Sequence, residues 1–156
     1  MDTKTPLDTR PEDAIIALAS AVREQGNAFV QAALERQGTC DLLPAHGAVL
    51  HALFAESPLR MQELARRTGR RKNTVTGLID TLEAHGYCRR ESVAHDGRGQ
   101  CVALTARGQS MRQVQAEISQ ALLAAAWSGV PVAERRACVA TLERVLANLR
   151  AANAGA

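Results

Sequence analysis

The chain has 156 residues, 46% of them hydrophobic and only 3% aromatic, with 19 Lys and Arg against 16 Asp and Glu for a formal charge of +3. That composition suits one compact domain, or a domain with an oligomerisation arm, and argues against intrinsic disorder. The longest unbroken apolar run, Ala121 to Trp127, falls far short of the roughly 20 residues that cross a bilayer, so membrane-spanning function is excluded.

Residues 1–10 alternate polar and charged side chains without the apolar stretch of a signal peptide, so a flexible tail and a cytoplasmic location are expected. Thr9-x-x-Glu12 has the form of a capping box, with Pro11 in the first turn. Ile15, Val22 and Phe29 then recur every seven residues, as do Ala19, Gly26 and Ala33, which predicts a helix over 11–38 whose seam wants a partner helix. A second helix starts at Pro44, aligns Val49, Leu50, Leu53 and Phe54, and stops at Ser57-Pro58. A short third helix follows over about Arg60 to Arg67. Beyond the turn Thr68-Gly69-Arg70, Val75, Leu78, Ile79 and Leu82 fall at i, i+3, i+4 and i+7 and predict a fourth helix that ends at His85 before Gly86. Tyr87 to Val93 and Gln100 to Leu104 bracket an Asp-Gly turn and predict a two-stranded ribbon. Thr105 caps a fifth helix, Pro131 opens a sixth with Cys138, Leu142, Val145 and Leu149 aligned, and residues 151–156 have nothing to pack against and are expected to fray.

Charge is distributed unevenly along this order. Residues 58–108 hold ten Lys or Arg and five Asp or Glu, a surplus of five, while the rest of the chain has a deficit of two. Two short helices joined by a Gly-containing turn, with basic residues opening the second, form the helix-turn-helix pattern, and a hairpin after it has the place of a wing. At about 100° per residue the fourth helix turns Asn73, Thr76, Gly77 and Asp80 away from its core stripe. Asn73 suits bidentate pairing with adenine, Thr74 and Thr76 suit phosphate or a thymine methyl, and Arg70, Arg71 and Lys72 lie where a helix N-terminus favours an anion. Arg90 and Arg98 flank the hairpin turn. Four scattered aromatics, Phe29, Phe54, Tyr87 and Trp127, are too few to stack single-stranded bases, so the ligand expected is double-stranded DNA.

From Pro44 to about Leu149 the chain resembles the MarR-type winged helix-turn-helix transcriptional regulators. The matching pieces are Leu64-Ala65 with Thr68-Gly69, Thr74-Val75-Thr76, Leu78-Ile79-Asp80, Leu82-Glu83, Gly86-Tyr87, Asp96-x-Arg98 and Leu104-Thr105-x-x-Gly108. The resemblance implies a mainly α fold with a small β-hairpin wing: a winged helix-turn-helix region over 44–105, flanked by a dimerisation helix over 11–38 and C-terminal dimerisation helices over 106–150. It implies a homodimer on a pseudo-palindromic operator, a repressor that releases DNA on meeting a ligand or oxidant. By the same resemblance Arg98 enters a minor groove with Asp96 bracing it, and Arg71 to Thr76 contact the major groove. Gly77 departs from the larger, often basic residue the family carries there, which shifts specificity onto Asn73 and Thr76. Gly97 and Gly99 around Arg98 imply a wing tip ordered only on DNA.

Apolar seams on the first, fifth and sixth helices independently ask for a partner copy. The family's effector cleft lies between dimerisation helices and winged helix, and Arg23, His46 and His51 are the polar groups expected near its walls, with an aromatic or phenolic acid as the implied effector. Four cysteines stand at 40, 88, 101 and 138 without a Cys-x-x-Cys pair. No metal or cofactor is expected, because His46 and His51 are five residues apart on a helix and nothing anchors His85, Cys88, His95 and Cys101 as a ligand set. Cys88 and Cys101 fall on opposing strands, where apolar contact is the commoner outcome. Cys40 is the candidate for an alternative, thiol-redox-responsive regulator. A winged-helix interaction module without DNA binding is the other alternative. Enzymatic function is not expected, since the chain lacks a Gly-x-Ser-x-Gly elbow, a P-loop and a His-Glu-x-x-His pair.

Overall fold

The structure, a computed structural model, describes residues 11–92 and 100–155. They form two units, one ending at Ser119 and one running from Gln120. In the first, a 3-10 turn at Pro11–Ala14 leads into α1 (Ile15–Arg36). Gly38 at φ 72° and the Thr39 N–H and hydroxyl, which both donate to the Leu34 carbonyl at 3.0 and 2.9 Å, end that helix as its sequence predicts. Only Ala33 and Leu34 of α1 are buried, whereas Ile16, Leu18 and Val22 are exposed, so the helix is anchored at its C-terminal end.

The core is built around α2 (Pro44–Ala55), whose Val49, Leu50 and Leu53 are enclosed together with Leu64, Val75, Ile79, Leu82 and Val102. At about 1.5–3 kcal/mol for each fully buried aliphatic side chain, this cluster is the main driving force of the unit. Pro44 opens α2, and His46 Nδ1 accepts the Leu43 N–H at 2.9 Å, which replaces a side-chain N-cap. Two residues, β1 (Leu59–Arg60), precede α3 (Met61–Thr68); Gly69, at φ 63°, caps α3, and α4 (Lys72–Ala84) follows. The expected apolar stripe is the one α4 buries, with Val75, Ile79 and Leu82 fully enclosed and Leu78 half-buried at its edge.

The sheet differs from the two-stranded ribbon expected. Strands β2 (Cys88–Ser92) and β3 (Gln100–Leu104) pair antiparallel, and β1 adds a third strand on the other edge of β3, with Leu59 opposite Val102. Ser57 Oγ accepts the Leu104 N–H at 3.0 Å beside it. Register sets Cys88 opposite Leu104 and Cys101 opposite Glu91, so the two thiols do not face each other. Thr105 opens α5 (Ala106–Ala126), its hydroxyl accepting the Gly108 N–H at 3.1 Å and donating to the Gly86 carbonyl at 2.6 Å.

In the second unit the end of α5 turns back into α6 (Val132–Ala154) through Gly129 at φ 73°. Arg135 fastens the turn by donating to the Val130 and Trp127 carbonyls at 2.7 and 3.1 Å. The helix continues to Ala154, so residues 151–154 of the stretch expected to fray are helical. No α6 residue is buried, and Val132, Val139, Leu142, Leu146 and Leu149 are all exposed. Among the described residues no helix is long and apolar enough to cross a membrane.

Candidate nucleic-acid interface

The basic cluster of the sequence divides into two classes in the fold. Arg66 and Arg67 are three and four residues beyond Glu63 on α3, a spacing that brings side chains together on a helix. Both donate to Glu63, Arg66 through Nε at 2.8 Å and Nη2 at 2.6 Å and Arg67 through Nε at 2.6 Å, while Arg67 also reaches Glu56. Hydrogen bonds from these two guanidinium groups hold the Glu63 carboxyl down at about 2. Arg89 pairs with Glu91 at 2.6 Å, and Arg107 with Asp41 at 3.0 Å. Arg90, also expected to contact DNA, lies against α4, where Glu83 and Asp80 take its guanidinium.

Arg70, Arg71 and Lys72 form the other class. All three are exposed, and none makes an ion pair with a described residue. They stand at the start of α4, whose N-cap residue is Arg71, with no side-chain cap and no acidic residue in the first turn. The first N–H groups of that helix therefore have no side-chain acceptor, and three cations sit at its positive end. Cations there are unfavourable by about 0.3–1 kcal/mol each within the isolated chain, a cost that a bound anion reverses. Asn73 and Thr74 are exposed beside them, and Thr76 is half-buried with its hydroxyl donating to the Lys72 carbonyl at 3.0 Å. Gly77 opens onto empty space, with nothing within 4 Å of an added Cβ. Asp96 and Arg98 lie outside the described residues.

A polar network that the sequence did not single out ties the end of α4 and the start of β2 to the loop before α2. Tyr87, 1% exposed, donates its hydroxyl to Asp41 at 2.9 Å, and Arg107 donates to both Asp41 and that hydroxyl at 3.0 Å. The Arg107 guanidinium also stacks over the Tyr87 ring, 4.4 Å from its centre. His85 Nδ1, at the end of α4, lies 3.5 Å from Asp41. Burial and the Asp41 carboxylate push the Tyr87 phenol up, so it is a hydrogen-bond donor at neutral pH.

A cavity of about 380 Å³ lies among α1, α2, the end of α3 and the first part of α5. Val30, Leu34, Leu42 and Ile118 give it apolar walls; His46, His51, Arg67, Asn27 and Gln115 supply polar groups. Both histidines expected at an effector site are thus at this cavity, but Arg23 is not among its lining residues and is exposed on α1. His46 is 2% exposed. Burial, and then the charge of His85, lower its pKa, and acceptance of the Leu43 N–H at Nδ1 puts its proton on Nε2. Arg67, Asn27 and Gln115 escaped the sequence reading because they come from three helices with no common spacing. Cys40 is exposed, whereas burial, with the charge of Glu83, pushes the Cys88 thiol up to about 11. Among the described residues no group of three or more His, Cys, Asp or Glu comes together as a metal site.

Comparison with known proteins agrees with this geometry. Residues 41–99 match the MarR family model. No curated protein matches the chain. Among solved structures, a MarR-family transcriptional regulator from Silicibacter pomeroyi is 27% identical, with a TM-score of 0.68 over 88% of this chain and 90% of that one. AbfR, solved in its reduced form bound to DNA, is 25% identical, with a TM-score of 0.67 over 88% and 93%. BpsR from Bordetella bronchiseptica, whose DNA binding is regulated by 6-hydroxynicotinic acid, is 22% identical, with a TM-score of 0.73 over 84% and 97%. Residues 41–99 are thus similar to the MarR family, and most of the chain shares the fold of MarR-family regulators of known structure.

Proposed function

We propose that this protein is a sequence-specific, DNA-binding transcriptional regulator of the cytoplasm, acting as a homodimeric repressor on a pseudo-palindromic operator. The observation that carries the reading is the bare, triply basic N-terminus of α4, with Arg70, Arg71 and Lys72 in no ion pair among the described residues while the neighbouring arginines of α3 are neutralised by Glu63 and Glu56. Phosphate supplies the missing anion there, and Asn73, Thr74 and Thr76 follow on the helix to meet base edges and the sugar-phosphate backbone. Arg98, with Asp96, is assigned to the wing contact by family resemblance alone. The exposed apolar residues of α1 and α6 support a second copy as the partner that covers them. Two recognition helices about 34 Å apart would then enter successive major grooves on one face of the duplex.

Release is assigned to a small planar acid in the cavity. Its apolar walls suit an aromatic ring, and His51 and the Nε2 donor of His46 suit a carboxylate or phenolic oxygen. The regulation of BpsR by an aromatic acid supports this choice. Exposure of Cys40, and the capture of AbfR on DNA in its reduced form, support oxidation as a second release signal. The test is fluorescence anisotropy on duplex from the gene's own upstream region against a scrambled duplex. Preference for the former, with release by phenolic or pyridine carboxylic acids, is expected; peroxide release that Cys40→Ser abolishes would favour the redox signal. Equal binding of both duplexes overturns sequence-specific recognition.

A further inference from the structure

The wing strand β2 carries adjacent arginines with opposite surroundings. Arg89 is 57% exposed and pairs along its own strand with Glu91. Arg90 is 22% exposed and leaves the strand for α4. Its backbone N–H donates to Glu83 Oε1 at 2.9 Å, its Nη1 donates to Glu83 Oε2, and its Nη2 donates to Asp80 Oδ1 at 2.6 Å. One residue of the wing thus makes three hydrogen bonds to two carboxylates one turn apart on the helix beside it. The two acceptors differ in position. Glu83 is partly covered at the strand, whereas Asp80 is 59% exposed and lies seven residues beyond Asn73, on the outward face with Thr76 and Gly77. An unneutralised carboxylate on that face would repel phosphate.

We infer that Arg90 is a positioning residue for DNA binding: it bolts strand β2 to the recognition helix α4 through Glu83, and cancels the Asp80 charge on the reading face, without itself touching DNA. The inference rests on the DNA-binding reading above. A forked guanidinium suits the task because it serves two carboxylates at fixed angles, which a lysine ammonium does not. The sequence alone gives the opposite assignment, since a wing arginine in a basic segment has the look of a phosphate contact.

The two roles differ in the sign of one substitution. Glu83→Gln is nearly isosteric and removes a negative charge, so it tightens binding if Arg90 is a phosphate ligand held in check, and weakens binding if the pair is a bolt. Anisotropy with the full chain on its own upstream duplex is compared for wild type, Glu83→Gln, Arg90→Lys and the double variant, with melting temperatures to confirm folding. The bolt predicts losses of about threefold for Glu83→Gln and about tenfold for Arg90→Lys, with the double variant no weaker than Arg90→Lys alone, as for residues that act through one shared contact. Hydrogen exchange in the DNA-free protein reads the same contact, and the Arg90 amide should exchange faster in Glu83→Gln. Tighter or unchanged binding by Glu83→Gln, wild-type affinity in Arg90→Lys, losses that multiply, or an unchanged Arg90 amide would overturn the positioning role. If wild type binds no duplex at any salt, the DNA-binding reading itself fails and this inference with it. If wild type binds and the variants match it, only the positioning role fails.

Discussion

A Cβ added to Gly108 would stand 1.9 Å from the carbonyl oxygen of Tyr87. Since that oxygen also accepts the Thr105 N–H at 3.2 Å, the first turn of α5 is pressed against the backbone entering β2. This is the physical content of the Leu104-Thr105-x-x-Gly108 pattern: Thr105 caps the helix and Gly108 lets it approach. Gly108→Ala forces the backbone apart, at an expected cost of about 1–3 kcal/mol. The measurement is thermal unfolding, and a melting temperature equal to wild type contradicts the close approach.

Gly77 presents the reverse case, since open space surrounds the position of its missing Cβ. Gly77→Ala should stabilise the exposed helix by about 0.5–1 kcal/mol, or about 1–4 °C in a chain of this size. Gly77→Glu is expected to leave folding intact and to abolish binding to duplex DNA, by setting a carboxylate on the face with Asn73 and Thr76. Gly77→Glu protein that melts normally and binds DNA normally would show that this face does not meet the duplex.

Much of this arrangement is legible in the sequence where a local rule suffices. The α4 stripe repeats at helical spacing, Gly38, Gly69 and Gly86 stand where left-handed caps are needed, and the two segments read as strands pair antiparallel. Strand β1 is not legible, because two residues carry no alternation and their pairing partners, Val102 and Cys101 on β3, are distant in the chain. Nor is the fate of each cation. Arg66 and Arg67 have Glu63 at helical spacing and could have been set aside, but Arg90 finds its acceptors seven and ten residues back, across an element boundary. His46 combines two roles that sequence treats as rivals: it caps the start of α2 and lines the cavity. Arg23, chosen for its place on α1, is turned by the helix to an exposed position away from the cavity lining.

His46 also makes stability depend on pH. Its pKa is lowered in the folded chain from an ordinary 6.5, chiefly by burial. Between the lowered value and 6.5 the unfolded chain binds a proton that the folded chain refuses, so stability falls as pH drops through that window, by at most about 1.4 kcal/mol per pH unit. Urea unfolding at pH 7.5 and pH 5.5 should show this loss in wild type and a smaller one in His46→Asn, whose amide oxygen takes the Leu43 N–H. An equal loss in both proteins would assign the effect to other groups.

The cysteines should separate by reactivity. Cys88 is 2% exposed with its thiol pushed up to about 11, so it carries almost no thiolate at neutral pH. In native protein treated with a maleimide at pH 7.5, peptide mapping should find Cys40 modified and Cys88 untouched until denaturant is added. Rapid native labelling of Cys88 would mean that β2 opens readily from α4.

The central claim is that Arg70, Arg71 and Lys72 meet phosphate while Arg66 and Arg67 are spent within the protein. The most direct measurement is the salt dependence of duplex binding for Arg71→Ala and Lys72→Ala beside Arg66→Ala, all of which lower the net charge equally. Each lost phosphate contact should reduce the slope of log affinity against log salt by about 0.9. That reduction is expected in Arg71→Ala and Lys72→Ala, with a wild-type slope in Arg66→Ala. Equal slopes in all three variants, or a reduction confined to Arg66→Ala, would contradict the claim.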